Sequence, residues 1–188
     1  MFHVRSARLA LMLALPVAMM ASASARAEDH AHGHHSHGGA PLHADIIDGQ
    51  GQTKGKAVLR QTKDGIDVDV KGVGLLAGVH AVHIHAVGTC TGPDFTSAGS
   101  HWNPGRKQHG HDNPAGAHMG DMPNMTVGAD GTGVLKTVIK NASITGGEAP
   151  LLDTDGAAVV IHAAADDYKT DPTGNAGGRV ACGILKAE

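Results

Sequence analysis

Seven residues of this chain have types and placements that could together hold first-row metal ions. His83 and His85 stand two apart in the alternating run Val82-His83-Ile84-His85. On a strand both imidazoles leave the same face, as two ligands of one ion must. His101, His109, His118 and Asp121 follow in a Gly- and Pro-rich stretch, and His162 ends the apolar run 157–161. A four-nitrogen set suits tetragonal Cu(II), and zinc accepts three nitrogens with one carboxylate oxygen. Six histidines and one carboxylate therefore fill eight positions if one imidazole serves both ions. A pair such as His83 and His85, taken alone, is equally at home as satisfied core or surface histidines, so the reading rests on the whole set.

These ligands need a frame, and the frame reads as strands. Ile66, Val68 and Val70 alternate with Asp67, Asp69 and Lys71 after an Asp64-Gly65 turn signal, which is the period of a half-buried strand. Asp130-Gly131 precedes a strand at 134–139, Asp155-Gly156 precedes 157–161, and 180–185 closes the chain. No segment carries a long helical stripe. Short strands, then an irregular Gly/Pro/His-rich stretch at 88–128, then more strands predict an all-β sandwich or barrel. A structureless stretch of that length inside a compact domain calls for a function or a metal. Aromatic residues make up 2% of the chain, so small and β-branched side chains must fill the core.

The ends and the charge set the compartment. Arg5 and Arg8, the apolar run 9–20 and Ala25-Arg26-Ala27 have the order of a secretory signal peptide over residues 1–27. The apolar run is too short for a membrane anchor and is broken by Pro16. Residues 28–41 form an arm expected to be disordered, in which His30, His32, His34, His35 and His37 lie among Gly, Ala and Ser. Such a tract either gathers copper, zinc or nickel loosely or is a solvated tail without a role. Residues 42–188 remain as one folded domain. Cleavage removes Arg5, Arg8 and Arg26 and no acidic residue, which takes the net charge from −3 to −6. That balance excludes a nucleic-acid partner, and no later stretch is apolar enough to insert in a membrane. Export places Cys90 and Cys182, the two cysteines of the chain, where they pair as a disulfide. In the chain-entropy account, closing a loop of that size is worth about 4 to 5 kcal/mol.

Four runs are recognisable together. Val82-His83-Ile84-His85, Ser97-Ala98-Gly99-Ser100-His101-Trp102-Asn103-Pro104, His118-Met119-Gly120-Asp121 and the segment 174–183 from Gly174-Asn175-Ala176-Gly177 to Arg179-Val180-Ala181-Cys182-Gly183 closely resemble the copper,zinc superoxide dismutase family in its bacterial secreted form. The resemblance spans about residues 42–186. It implies a Greek-key β-sandwich or flattened barrel with long metal-binding and electrostatic loops, and copper and zinc as cofactors. It also implies superoxide as substrate, converted to dioxygen and hydrogen peroxide, and a periplasmic monomer or homodimer. Position by position it implies that His83, His85, His101 and His162 hold copper, and that His101, His109, His118 and Asp121 hold zinc, with His101 bridging the ions. Asp166 is implied as the carboxylate linking His83 to His109, Arg179 as the anion-guiding arginine beside copper, and Cys90–Cys182 as the intrasubunit disulfide. His101 and Arg179 are thus the implied catalytic pair.

A different class of function stays open. The same ligands with the histidine arm suit a non-catalytic copper or zinc buffer or carrier. A carrier, however, needs neither a bridging His101 nor an anion-guiding Arg179. His80 and His111 match none of the family's metal positions and read as a satisfied core histidine and a solvated loop histidine. Trp102 stands where many relatives carry Phe, a packing change. Met119, Met122 and Met125 read as core filling and not as a thioether path for Cu(I).

Overall fold

The structure, a computed structural model, describes residues 39–148 and 150–187. The proposed leader and residues 28–38 of the proposed arm, with His30, His32, His34, His35 and His37, lie outside the described residues.

The regular secondary structure of the described residues is almost entirely β, as expected. The strands are β1 (Leu42–Asp48), β2 (Thr53–Gln61), β3 (Gly65–Gly72), β4 (Gly78–His80), β5 (Val82–His85), β6 (Met125–Val127), β7 (Gly133–Lys140), β8 (Ala158–His162), β9 (Arg179–Ile184) and β10 (Lys186–Ala187). The helical content among them is a single 3₁₀ turn at Thr96–Ala98. One antiparallel sheet runs in the order β4-β6-β7-β3-β2-β1-β9-β8-β5, with β10 on β1. Its two end strands follow each other in sequence across Ala81, so the sheet curls into a nearly closed barrel. Ala81 helps to close it by donating to the Ala164 carbonyl and accepting from the His162 N–H.

Alternation decides what faces where. Ile66, Val68 and Val70 are buried in the main core, as their period requires, with Leu42, Ala44, Ile46, Ala57 and Leu59 from β1 and β2. On β5 and β8, Val82, Ile84, Val159 and Ile161 enter that same core. Their neighbours His83, His85, Ala158, Val160 and His162 must then face the outside of the barrel. They are buried all the same, because the long loops lie over them. Ala158 and Val160 pack in a second cluster with Phe95, Ala98 and Cys182. The Cys90–Cys182 disulfide, spanning 92 residues, pins the loop there.

The stretch at 88–128 differs in one respect from a structureless loop: it contains the 3₁₀ turn and ends in β6. Met122 and Met125 are buried in the core and Met119 packs against it, the filling role read from their volume. Trp102 is buried in the same cluster.

Candidate metal centre

The loop is bound to the free edge of β5 by backbone hydrogen bonds. Ile84 donates to Gly120 and accepts from Trp102, and Ala86 donates to Ser100. Isolated bridges set His101 opposite His85 and Asp121 opposite His83. A Cβ on Gly120 would run into the Ile84 carbonyl, so glycine is what allows this approach. On the other side of β8, the β8–β9 register shifts between Ile161 and His162. Regular pairing would set Val180 opposite His162; the bulge sets Arg179 there instead. Bulges beside functional sites re-aim side chains in this way.

All seven sequence-predicted ligands come together. His83, His85, His101 and His162 present one ring nitrogen each within 4.8 Å of one another, and His101, His109, His118 and Asp121 form a second such group. His101 belongs to both. Its Nδ1 lies 2.9 Å from Asp121 Oδ1 and 3.3 Å from His118 Nδ1, while its Nε2 is buried without a hydrogen-bond partner. His109 Nδ1 and His118 Nδ1 stand 3.1 and 3.2 Å from the same Asp121 oxygen. The other Asp121 oxygen is fixed by the N–H groups of Gly110 and His118, each at 3.0 Å.

The remaining ring nitrogens are oriented from behind. His85 Nδ1 lies 2.9 Å from the Gly99 carbonyl and His162 Nδ1 lies 3.3 Å from that of Gly177. The Asp166 carboxylate spans 2.9 Å to His83 Nε2 and 2.9 Å to His109 Nε2. This leaves His83 Nδ1, His85 Nε2, His101 Nε2 and His162 Nε2 as buried, unpartnered nitrogens, with His109 Nδ1 left without a hydrogen bond in the neighbouring cluster. Buried polar atoms are normally hydrogen-bonded, and four converging orphans are the mark of a ligand site.

Charge agrees with this. Burial lowers His83 to about 4, against the pull of its Asp166 bond, and lowers His162 to about 3. Burial, helped by the charge of His101, holds His85 lower still. These imidazoles are therefore neutral with lone pairs available, as metal ligation needs. In the second cluster burial opposes the charged form of His109, but the Asp121 and Asp166 carboxylates outweigh it and raise the ring to about 9. Against the cost of burial, the His101 and His109 bonds hold Asp121, and the His109 and His83 bonds hold Asp166, far below the usual carboxylate range.

A cavity of about 390 Å³ opens at His101, the residue the two groups share, lined by Ser100, His101, Asn103, His118, Thr173 and Arg179 among others. The Arg179 guanidinium donates from Nη1 to the Phe95 carbonyl at 2.7 Å and from Nη2 to that of Gly99 at 2.6 Å. The Gly99 carbonyl thus orients both Arg179 and His85.

The copper/zinc superoxide dismutase (SODC) family model matches residues 53–185. A superoxide dismutase (Cu-Zn) of Aquifex aeolicus is 44% identical over 148 residues, 77% of this chain and 86% of its own length. The chain belongs to the copper/zinc superoxide dismutase family. It is also similar to the superoxide dismutase-like protein YojM of Bacillus subtilis, 42% identical over 76% of this chain and 74% of that protein. Among solved structures, a SOD-like protein from Bacillus subtilis aligns with a TM-score of 0.74 at 38% identity, covering 79% of this chain and 99% of its own. The Cu/Zn superoxide dismutase from Brucella abortus aligns at 0.59 and 26% identity, covering 78% and 99%. As a member of the copper/zinc superoxide dismutase family the chain is an oxidoreductase that uses copper and zinc, and the orphaned nitrogens and the carboxylate cluster fit that pair of ions.

Residues outside the seven support the site, and one of them, Asn124, escaped the sequence reading. His80, read as a satisfied core histidine, is indeed buried, with Nδ1 2.7 Å from the His162 carbonyl and Nε2 2.8 Å from that of Leu76. It braces the backbone of a cluster histidine. Asn124 clamps Asp166 by accepting from its N–H at 2.8 Å and donating to its carbonyl at 2.9 Å. Nothing in the pattern around Asn124 marks it. His111 is exposed, with Nε2 3.1 Å from the Asp121 carbonyl.

Proposed function

We propose that copper is held by His83 Nδ1 and by the Nε2 atoms of His85, His101 and His162, and zinc by the Nδ1 atoms of His101, His109 and His118 with Asp121 Oδ1. Copper, when bound, supplies the one-electron cycle that takes one superoxide to dioxygen and a second, with two protons, to hydrogen peroxide. The protein supplies the rest. Arg179 has five N–H donors, of which two are anchored on carbonyls, and the others bind the anion at the mouth. His101 lines the same mouth, and its buried Nε2 would be the atom at which a proton is held and delivered, while Nδ1 stays tied to the zinc cluster. Asp121 and Asp166 keep the imidazoles in orientation, the usual task of outer and inner carboxylates around a metal.

One observation carries this reading over that of a metal carrier: an imidazole facing both clusters stands in one cavity with an arginine aimed by two carbonyls. Storage requires neither. The test is the dismutation rate of the mature chain loaded with both metals, beside Arg179→Ala and His101→Ala. Enzymes of this family run near the diffusion limit. The parent rate should approach that limit and fall with ionic strength, Arg179→Ala should lose on the order of 10-fold or more, and His101→Ala should lose both rate and metal. A slow parent at full occupancy would sink the dismutase reading and favour the carrier. The leader and the family's habit support a periplasmic location, with monomer and homodimer both compatible.

A further inference from the structure

The two long loops meet along a seam beyond Asp166. Asp112 donates its N–H to the Tyr168 carbonyl at 2.9 Å, and Gly110 packs so closely on that carbonyl that a Cβ would collide with it. Three residues beyond Tyr168, Asp171 meets the edge of the zinc cluster. Its Oδ1 accepts the backbone N–H of His109 at 2.6 Å and lies 3.9 Å from His118 Nε2.

The distribution of ring nitrogens gives this contact its meaning. His109 turns Nδ1 to the cluster and Nε2 to Asp166. His101 spends both nitrogens on the two clusters. His118 turns Nδ1 to the cluster, and the carboxylate facing its outward Nε2 is Asp171. A ligating imidazole is held in orientation by what faces its other N–H, and a carboxylate there also makes the ligand more basic.

We infer that Asp171 is a positioning residue of the zinc cluster: it fixes the backbone of His109 by a hydrogen bond and sets a carboxylate 3.9 Å from the outward Nε2 of His118, where its charge biases that ring. This rests on the zinc assignment proposed above. It also ties metal loading to the substrate mouth, because the next residues, Pro172 and Thr173, line the same cavity as His118 and Arg179. The sequence hid this role, since Asp171 lies in an exposed Thr-Asp-Pro segment with no spacing to a ligand that would single it out.

The experiment measures zinc dissociation constants by competition with a chromophoric chelator, and the visible spectrum of the cobalt(II)-substituted site, for the parent, Asp171→Ala and Asp171→Asn. The alanine variant should bind zinc on the order of 10 to 100-fold more weakly, the range seen when partners of metal ligands are lost. Its cobalt bands should shift as His118 reorients. The asparagine variant keeps an acceptor for the His109 N–H but not the charge, so it should fall between the two. Copper affinity should change less than threefold in both, whereas general loosening of the loops would weaken both metals alike and would overturn the inference. Zinc constants within twofold of the parent would overturn it as well. Should the alanine variant fail to fold, the asparagine variant decides by the same outcomes. A parent that takes up no zinc at these four ligands would instead bring down the zinc assignment itself.

Discussion

At the scale of the residue, the ligand cluster is a group of neutral imidazoles held out of water, and this has a consequence for the metal-free protein. His83 at about 4 and His162 at about 3, with His85 lower still, all titrate below their unfolded value of 6.5. Between pH 6.5 and 4 the unfolded chain therefore binds protons that the folded chain refuses, and stability falls as pH falls. Each such group contributes up to about 1.4 kcal/mol per pH unit across the window. His109, raised to about 9, acts in the opposite sense: its contribution is present below 6.5 and is lost as pH rises from 6.5 to 9. The thermal midpoint of the metal-free protein should thus be highest near neutrality and drop on both sides, more steeply toward acid, where three groups act together. A midpoint that stays flat from pH 7 to pH 5 would show that these imidazoles are not buried as neutral groups.

At the scale of the element, the site depends on β5 having a free edge that a loop can occupy. Gly120→Ala tests this, because the new methyl must displace the Ile84 carbonyl and with it the strand that carries His83 and His85. Stability should fall by about 2 kcal/mol or more, within the range of strain at a packed backbone contact, and both metals should load poorly. Gly105→Ala, in the same loop but meeting only the Lys107 side chain at ordinary distance, should change melting and loading little. Equal melting of the two variants would mean that the loop is not held by this contact. The same element shows how far the sequence could be read. The alternation in β3 and β5, the apolar run of β8 and the turn signals before β3, β7 and β8 made these strands legible, and the seven candidate ligands stood out by residue type, with His83 and His85 also by spacing. β1 and β2 were less so: β2 begins with the polar run Thr53 to Lys56, and its apolar face is clear only once β1 and β3 lie beside it. The bulge that aims Arg179 at His162, and the carbonyls of Phe95 and Gly99 that hold the guanidinium, leave no mark on side-chain pattern. Both are properties of backbone geometry created by tertiary pairing.

At the scale of the whole molecule, net charge and substrate charge share a sign. Without residues 1–27, read as a leader, the sequence carries −6, so a distant superoxide anion would meet mild repulsion, opposed by the local positive charge of Arg179 at the mouth and of Arg106 and Lys107 beside His101. Salt screens both effects over roughly 10 Å at 0.1 M, so the sign of the salt dependence reports which of them governs encounter. The histidine arm, if it has a role, belongs to another scale, that of metal supply. Its five imidazoles stand within eight residues of one another in a Gly- and Ser-containing tract, a composition suited to gathering around a copper, zinc or nickel ion. Once both clusters are filled the arm has nothing left to contribute to turnover. Removal of residues 28–39 should therefore leave the rate of the fully loaded protein unchanged. It should slow copper uptake when the metal is supplied below stoichiometry in competition with a chelator. Copper uptake at equal rates with and without the arm would reduce it to a solvated tail.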